Sequence, residues 1–128
     1  MDLDYKPEGY TSVAPYLIVR DARRTLDFLR TVFDARELRA YPTPEGTLMH
    51  AEVRIDDTVV MLADAAPSWP MVPAHVHVYV DDVDDVYRRA LAAGAEAVQE
   101  PVQKGDEDRR GGVKDAGGTT WWIATRVG

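Results

Sequence analysis

The sequence predicts an α+β domain built from two copies of one β-α-β-β-β unit. Three observations carry this. Alternating apolar strands run over residues 11–19 and 74–80, about sixty residues apart, each followed at once by a helical pattern. The strand-to-helix junctions match in kind: Val19-Arg20-Asp21-Ala22 and Val80-Asp81-Asp82-Val83. Each helix then gives way to shorter strand patterns separated by turn residues. Two such units imply a cup-shaped mixed sheet with its helices on the convex side.

Taken in order, Asp21 is placed to cap the first helix, which turns Ala22, Leu26, Leu29, Val32 and Phe33 to one face. Strands follow over 35–41, 47–55 and 58–63, with turns at 42–46 and at Asp56-Asp57. A proline-rich linker, 67–73, carries Trp69. Asp82 caps the second helix, with Asp85 three positions on, and Val83, Val86, Tyr87, Ala90 and Leu91 form its inner face. Gly94 stops it. Strands are expected over 96–99, 112–114 and 119–125, with 103–112 a mobile charged loop: a solvated hairpin, or a flap closing through Arg109 or Arg110. One domain spans 1–128, with repeat one over about 10–66 and repeat two over about 74–126.

Strand alternation assigns the faces. Val76, Val78 and Val80 suit the helix side, which leaves His75, His77 and Tyr79 on the concave side. In the same way Met49, Ala51, Val53 and Ile55 go to a helix, and His50, Glu52 and Arg54 to the concavity. All three histidines are therefore expected in one cup.

Composition excludes several classes of function. The absence of cysteine removes disulfides, thiol nucleophiles and cysteine zinc sites. A formal charge of −7 argues against a nucleic-acid partner and fits either solubility or attraction of a cationic small molecule. No apolar run approaches the ~20 residues that span a bilayer, so no membrane partner is expected. The acidic opening Met1-Asp2-Leu3-Asp4 is unlike a secretory signal, which makes the cytoplasm the expected location.

Four segments, taken together, carry a family resemblance: Pro15 to Asp21, Met49-His50-Ala51-Glu52, His75 to Asp84, and Asp115 to Thr125. In this order and spacing the chain resembles the vicinal-oxygen-chelate superfamily of glyoxalase I, extradiol dioxygenases, fosfomycin-resistance transferases and bleomycin-resistance proteins. The resemblance covers about residues 10–126. It implies four metal-ligand positions, which here read Ala14, Met61, His75 and Trp122. One histidine with Ala, Met and Trp cannot supply the donors a divalent metal needs. No metal and no cofactor are expected, and no catalytic residue is assigned.

The resemblance is nearest to the small antibiotic-binding members. It implies a metal-free protein that sequesters a hydrophobic or aromatic antibiotic-like molecule without turnover, as a homodimer with two equivalent sites. Whether it is an enzyme stays open, leaning towards binding. The expected ligand-binding residues are Tyr16, Ile18, His50, Glu52, Met61, Trp69, His75, Tyr79 and Trp122. Trp122 is a stacking wall or interface packing, and Trp121 belongs to the core. Trp69 is a lid, a dimer contact or surface packing. Met61 and Ile18 supply an apolar floor, while Tyr16, His50, His75 and Tyr79 orient polar atoms. The alternative is a lyase, isomerase or hydrolase using His50, Glu52 and His75 in acid–base chemistry, with or without a metal held by those three.

Overall fold

Both repeats form, each as a four-stranded mixed sheet with one helix. The structure is a computed structural model and describes residues 4–128; apart from Asp4, the acidic opening read above lies outside the described residues. In chain order the elements are β1 (Tyr16–Val19), α1 (Ala22–Phe33), β2 (Arg36–Pro42), β3 (Leu48–Ile55), β4 (Thr58–Asp64), β5 (Ala74–Tyr79), α2 (Val83–Ala92), β6 (Glu96–Gln103), β7 (Asp108–Lys114) and β8 (Thr119–Arg126). The sheets run β1-β4-β3-β2 and β5-β8-β7-β6. In each, the first strand pairs parallel with the last, and the other pairs are antiparallel.

The helix junctions repeat one device twice. The Asp21 carboxylate accepts the Arg24 amide at 3.3 Å and that of Asp82 accepts the Asp85 amide at 3.1 Å, so each satisfies an orphan first-turn donor. The opening amide of each helix is taken by the last strand of its own repeat: Ala22 N–H by Asp64 Oδ1 at 2.8 Å, and Val83 N–H by Thr125 Oγ1 at 2.9 Å. Helix α1 ends at Asp34 in the left-handed region (φ 54°), and Gly94 (φ 99°) follows α2 in the conformation only glycine adopts freely.

One core serves both halves. Leu17, Val19, Leu26, Leu29, Val32, Val53, Leu62, Val83, Val86, Trp121 and Ile123 are buried within it. Phe33 of α1 meets Trp121 of β8 with centroids 5.2 Å apart. The Trp121 N–H donates to the buried Asp115 carboxylate at 2.8 Å, which also accepts the Gly117 and Thr119 amides. Trp121 is therefore core, as its alternation requires.

Four expectations need correction. Strand β1 begins at Tyr16, after Pro15, rather than at residue 11. Met49 is 63% exposed instead of facing a helix, because it is the extra residue in a bulge between the pairs Tyr41↔His50 and Pro42↔Leu48, and Leu48 takes the core place. Leu91 is 37% exposed: Val83, Val86, Tyr87 and Ala90 already fill the inward stripe, leaving it at the margin of the last turn. The charged segment 103–112 is mostly strand, with a turn only at 104–107. Its charges are paired, Arg109 with Asp84 in a two-bond fork and Arg110 with Asp106 and Asp108. Arg109 and Arg110 are therefore not a free flap. Pro101 is tolerated in β6 because that strand is a sheet edge.

Candidate functional site

Residues paired across neighbouring strands share a sheet face, so the registers show which candidates lie together. On the concave face of the first sheet, Tyr16 pairs with Met61, Met61 with Glu52, and Glu52 with Arg39. The adjacent row is Ile18 with Ala63, then His50 with Tyr41. On the second sheet His77 pairs with Trp122 and Trp122 with Gly112, flanked by His75, Tyr79 and Arg110.

The first face carries a directed hydrogen-bond relay. Glu52 is 4% exposed and accepts from Tyr10 Oη at 2.5 Å and from His50 Nε2 at 2.7 Å, with Arg39 Nε 3.6 Å away. Burial pushes its carboxyl pKa upward, but the Tyr10 and His50 bonds and the Arg39 charge outweigh this and hold it below its ordinary value. Ionised Glu52 can only accept, so the proton between the two sits on His50 Nε2, and in that tautomer Nδ1 accepts from Tyr16 Oη, 2.8 Å away. Burial, with the Glu52 charge second, raises the Tyr16 pKa, and its phenol stays protonated. The relay thus runs Tyr16 to His50 to Glu52, and Tyr10 locks its far end.

The second face presents a flat aromatic surface. Trp122 Nε1 donates to His75 Nδ1 at 3.0 Å, and the two rings lie 9° from coplanar with centroids 6.2 Å apart. An in-plane hydrogen bond at that separation sets the rings side by side, not face to face. The indole also lies across Gly112 on the neighbouring strand. A Cβ at Gly112 would sit 2.6 Å from the Trp122 ring, so only glycine permits this approach. Beside it, His77 accepts from Arg110 Nε at 3.1 Å, and Tyr79 donates to Asp108 at 2.7 Å. Burial and then the Arg110 charge depress the His77 pKa.

The three histidines do not converge. His50 contacts Tyr16, Tyr41 and Glu52 of the first sheet, whereas His75 and His77 contact partners on the second. Alternation fixes which face a residue takes within its own sheet, and the two sheets share no ladder. Among the described residues no group of three His, Cys, Asp or Glu side chains is placed to hold a metal ion, so one chain does not assemble a rearranged His50, Glu52 and His75 metal set. Nor do the inherited positions fit a divalent metal. Ala14 has no donor, Met61 offers a thioether, Trp122 offers an N–H, and the lone pair on His75 Nδ1 already accepts that N–H.

Trp69 stands near the first face, edge-on to Tyr16 at 6.4 Å and 51% exposed. Four participants were missed in the sequence: Tyr10, Arg39, Tyr41 and Gly112. Tyr10 lies outside any strand, and Arg39 and Tyr41 sit beyond a bulge that shifts the alternation of β2. The Gly112 role depends on a cross-strand partner. No helix among the described residues is long and apolar enough to cross a membrane.

The family model described as "Glyoxalase/Bleomycin resistance protein/Dioxygenase superfamily" matches residues 10–123. Uncharacterized proteins of Mycobacterium tuberculosis and Mycobacterium bovis are 38% identical over 127 residues, which cover 91% of this chain and 75% and 84% of theirs respectively. Among solved structures, TioX from Micromonospora sp. ML1 is 29% identical with a TM-score of 0.76, covering 91% of this chain and 98% of that one. The fosfomycin resistance protein FosX of Listeria monocytogenes, complexed with Mn(II) and sulfate ion, shares the fold at 19% identity and a TM-score of 0.70, covering 91% of this chain and 90% of its own. A repeated β-α-β-β-β architecture, a match to the family along most of the chain and relatives at this identity give one answer: the chain belongs to the glyoxalase/bleomycin resistance protein/dioxygenase superfamily.

Proposed function

We propose that this protein is a metal-free binder that sequesters a hydrophobic or aromatic, antibiotic-like small molecule. The observation that carries the reading is the Trp122 surface. Its indole lies against Gly112, where no side chain intervenes, and is nearly coplanar with His75, on which its one N–H is spent, so the two rings together offer a planar surface to a flat ligand. A stacked aromatic pair contributes about 0.5–1.5 kcal/mol beyond burial. Met61 and Ile18 on the other concave face add apolar contact, and Tyr16, His50, His75 and Tyr79 orient polar atoms. Because each concave face is open in one chain, with Tyr16 45% and Tyr79 61% exposed, we further propose a homodimer whose two equivalent sites each use both chains. FosX, named for fosfomycin resistance, shares the fold and lends the reading context only.

Tryptophan fluorescence titrated with flat aromatic antibiotics tests this. Wild type should show saturable quenching, Trp122→Ala should lose most of it, and the recovered ligand should be chemically unchanged. Unchanged binding by Trp122→Ala would falsify the stacking surface. A second reading, general acid–base catalysis, is supported by the Tyr16–His50–Glu52 relay, in which a buried carboxylate orients an imidazole. A new product after prolonged incubation, lost in His50→Ala, would favour it.

A further inference from the structure

A second cavity, of about 300 Å³, lies beside the relay and has a different chemistry from the Trp122 surface. Its aromatic walls are Tyr16 and Trp69, set 78° apart, and Met49 contributes a polarisable thioether. Thr43, Thr47 and Asp64 supply oxygen atoms, and none of the lining residues is basic.

From this we infer that the cavity binds an alkylated ammonium group, in an aromatic cage closed by Tyr16 and Trp69 with Asp64 as counter-charge. The inference rests on the reading of this protein as a small-molecule binder and names a cationic head group for its ligand. Two nearly perpendicular aromatic rings lining one cavity suit a cation, whose attraction to an aromatic quadrupole grows as water is excluded. The relay points the same way. The Tyr16 proton is committed to His50, so its oxygen offers lone pairs. The Asp64 carboxylate accepts the Ala22 and Leu48 amides at 2.8 and 2.6 Å and has no ion-pair partner among the described residues. A neutral apolar group filling the cavity would strip water from Asp64 and return no partner, whereas an ammonium compensates that loss. An anion would meet the carboxylate with no basic group to offset it.

Choline and its neutral isostere 3,3-dimethylbutan-1-ol separate charge from shape, and neither has a flat aromatic body. In proton–nitrogen correlation spectra, choline should saturate shifts at the Trp69 indole N–H and the Ala65 and Ala66 amides. The isostere should bind at least about tenfold more weakly. Trp69→Leu, a change at an exposed loop residue, should abolish the choline response at Ala65 and Ala66. Asp64→Asn should weaken choline binding while leaving the isostere unaffected. Equal affinity for the two probes, or a choline response that survives Trp69→Leu, overturns the cage. Acridine, followed at the Trp122 indole, tests the stacking reading separately. Acridine binding without choline binding overturns the cage alone, and choline binding without an acridine response overturns the Trp122 reading alone.

Discussion

Asp115, Glu52 and Gly112 each carry a local interaction that a single substitution tests. Asp115 accepts three hydrogen bonds inside the core, from the Gly117 and Thr119 amides and the Trp121 indole. Asp115→Ala strands all three donors and should destabilise the fold by about 3 kcal/mol or more, measured by urea unfolding. Glu52 makes stability depend on pH. Its pKa is depressed in the folded state, so its contribution is complete above the ordinary carboxyl value of 4.5 and is lost as pH falls through the lower folded value. Glu52→Gln should flatten that part of the curve and cost about 2–3 kcal/mol at neutral pH. Gly112→Ala should force the Trp122 ring off the sheet, costing about 1–3 kcal/mol by overpacking and changing the near-UV circular dichroism of the indole.

At the scale of elements, the caps are the simplest devices to test. Asp21→Ala and Asp82→Ala should each cost about 1 kcal/mol, and the double mutant should be close to additive because the caps open different helices. These caps were legible in the sequence because capping depends on residues three apart in the chain. So were both helices and the order of the strands, since periodicity is also local, although β6 and β7 run well past the 96–99 and 112–114 expected and β1 is shorter than 11–19. What local reasoning could not give was cross-strand geometry. Met49 left the core through a bulge, and Arg110 found acid partners in a hairpin expected to be solvated or a flap. The histidines kept their expected faces and still separated, because face and sheet are different facts. Asp64 and Thr125 capping their helices across a parallel ladder was equally invisible before the register was known.

For the whole molecule, the open concave faces lead to an expected assembly. If the sites are shared between chains, sedimentation equilibrium should return twice the mass of one chain. Ligand should shift any monomer–dimer equilibrium towards the dimer, and a strictly monomeric protein with full ligand affinity would rule out shared sites. The shared core bears on how the chain is made. All hydrogen-bonded ladders of the first sheet are complete once Asp64 is synthesised, because no strand crosses between the halves. Phe33 of α1, however, waits for its partner Trp121 near the end of the chain. During translation, at about 5–20 residues per second, the nascent first half therefore passes through an interval of seconds with a finished sheet and an uncovered Phe33. That interval is the window in which a chaperone, or another unfinished copy, has something to hold.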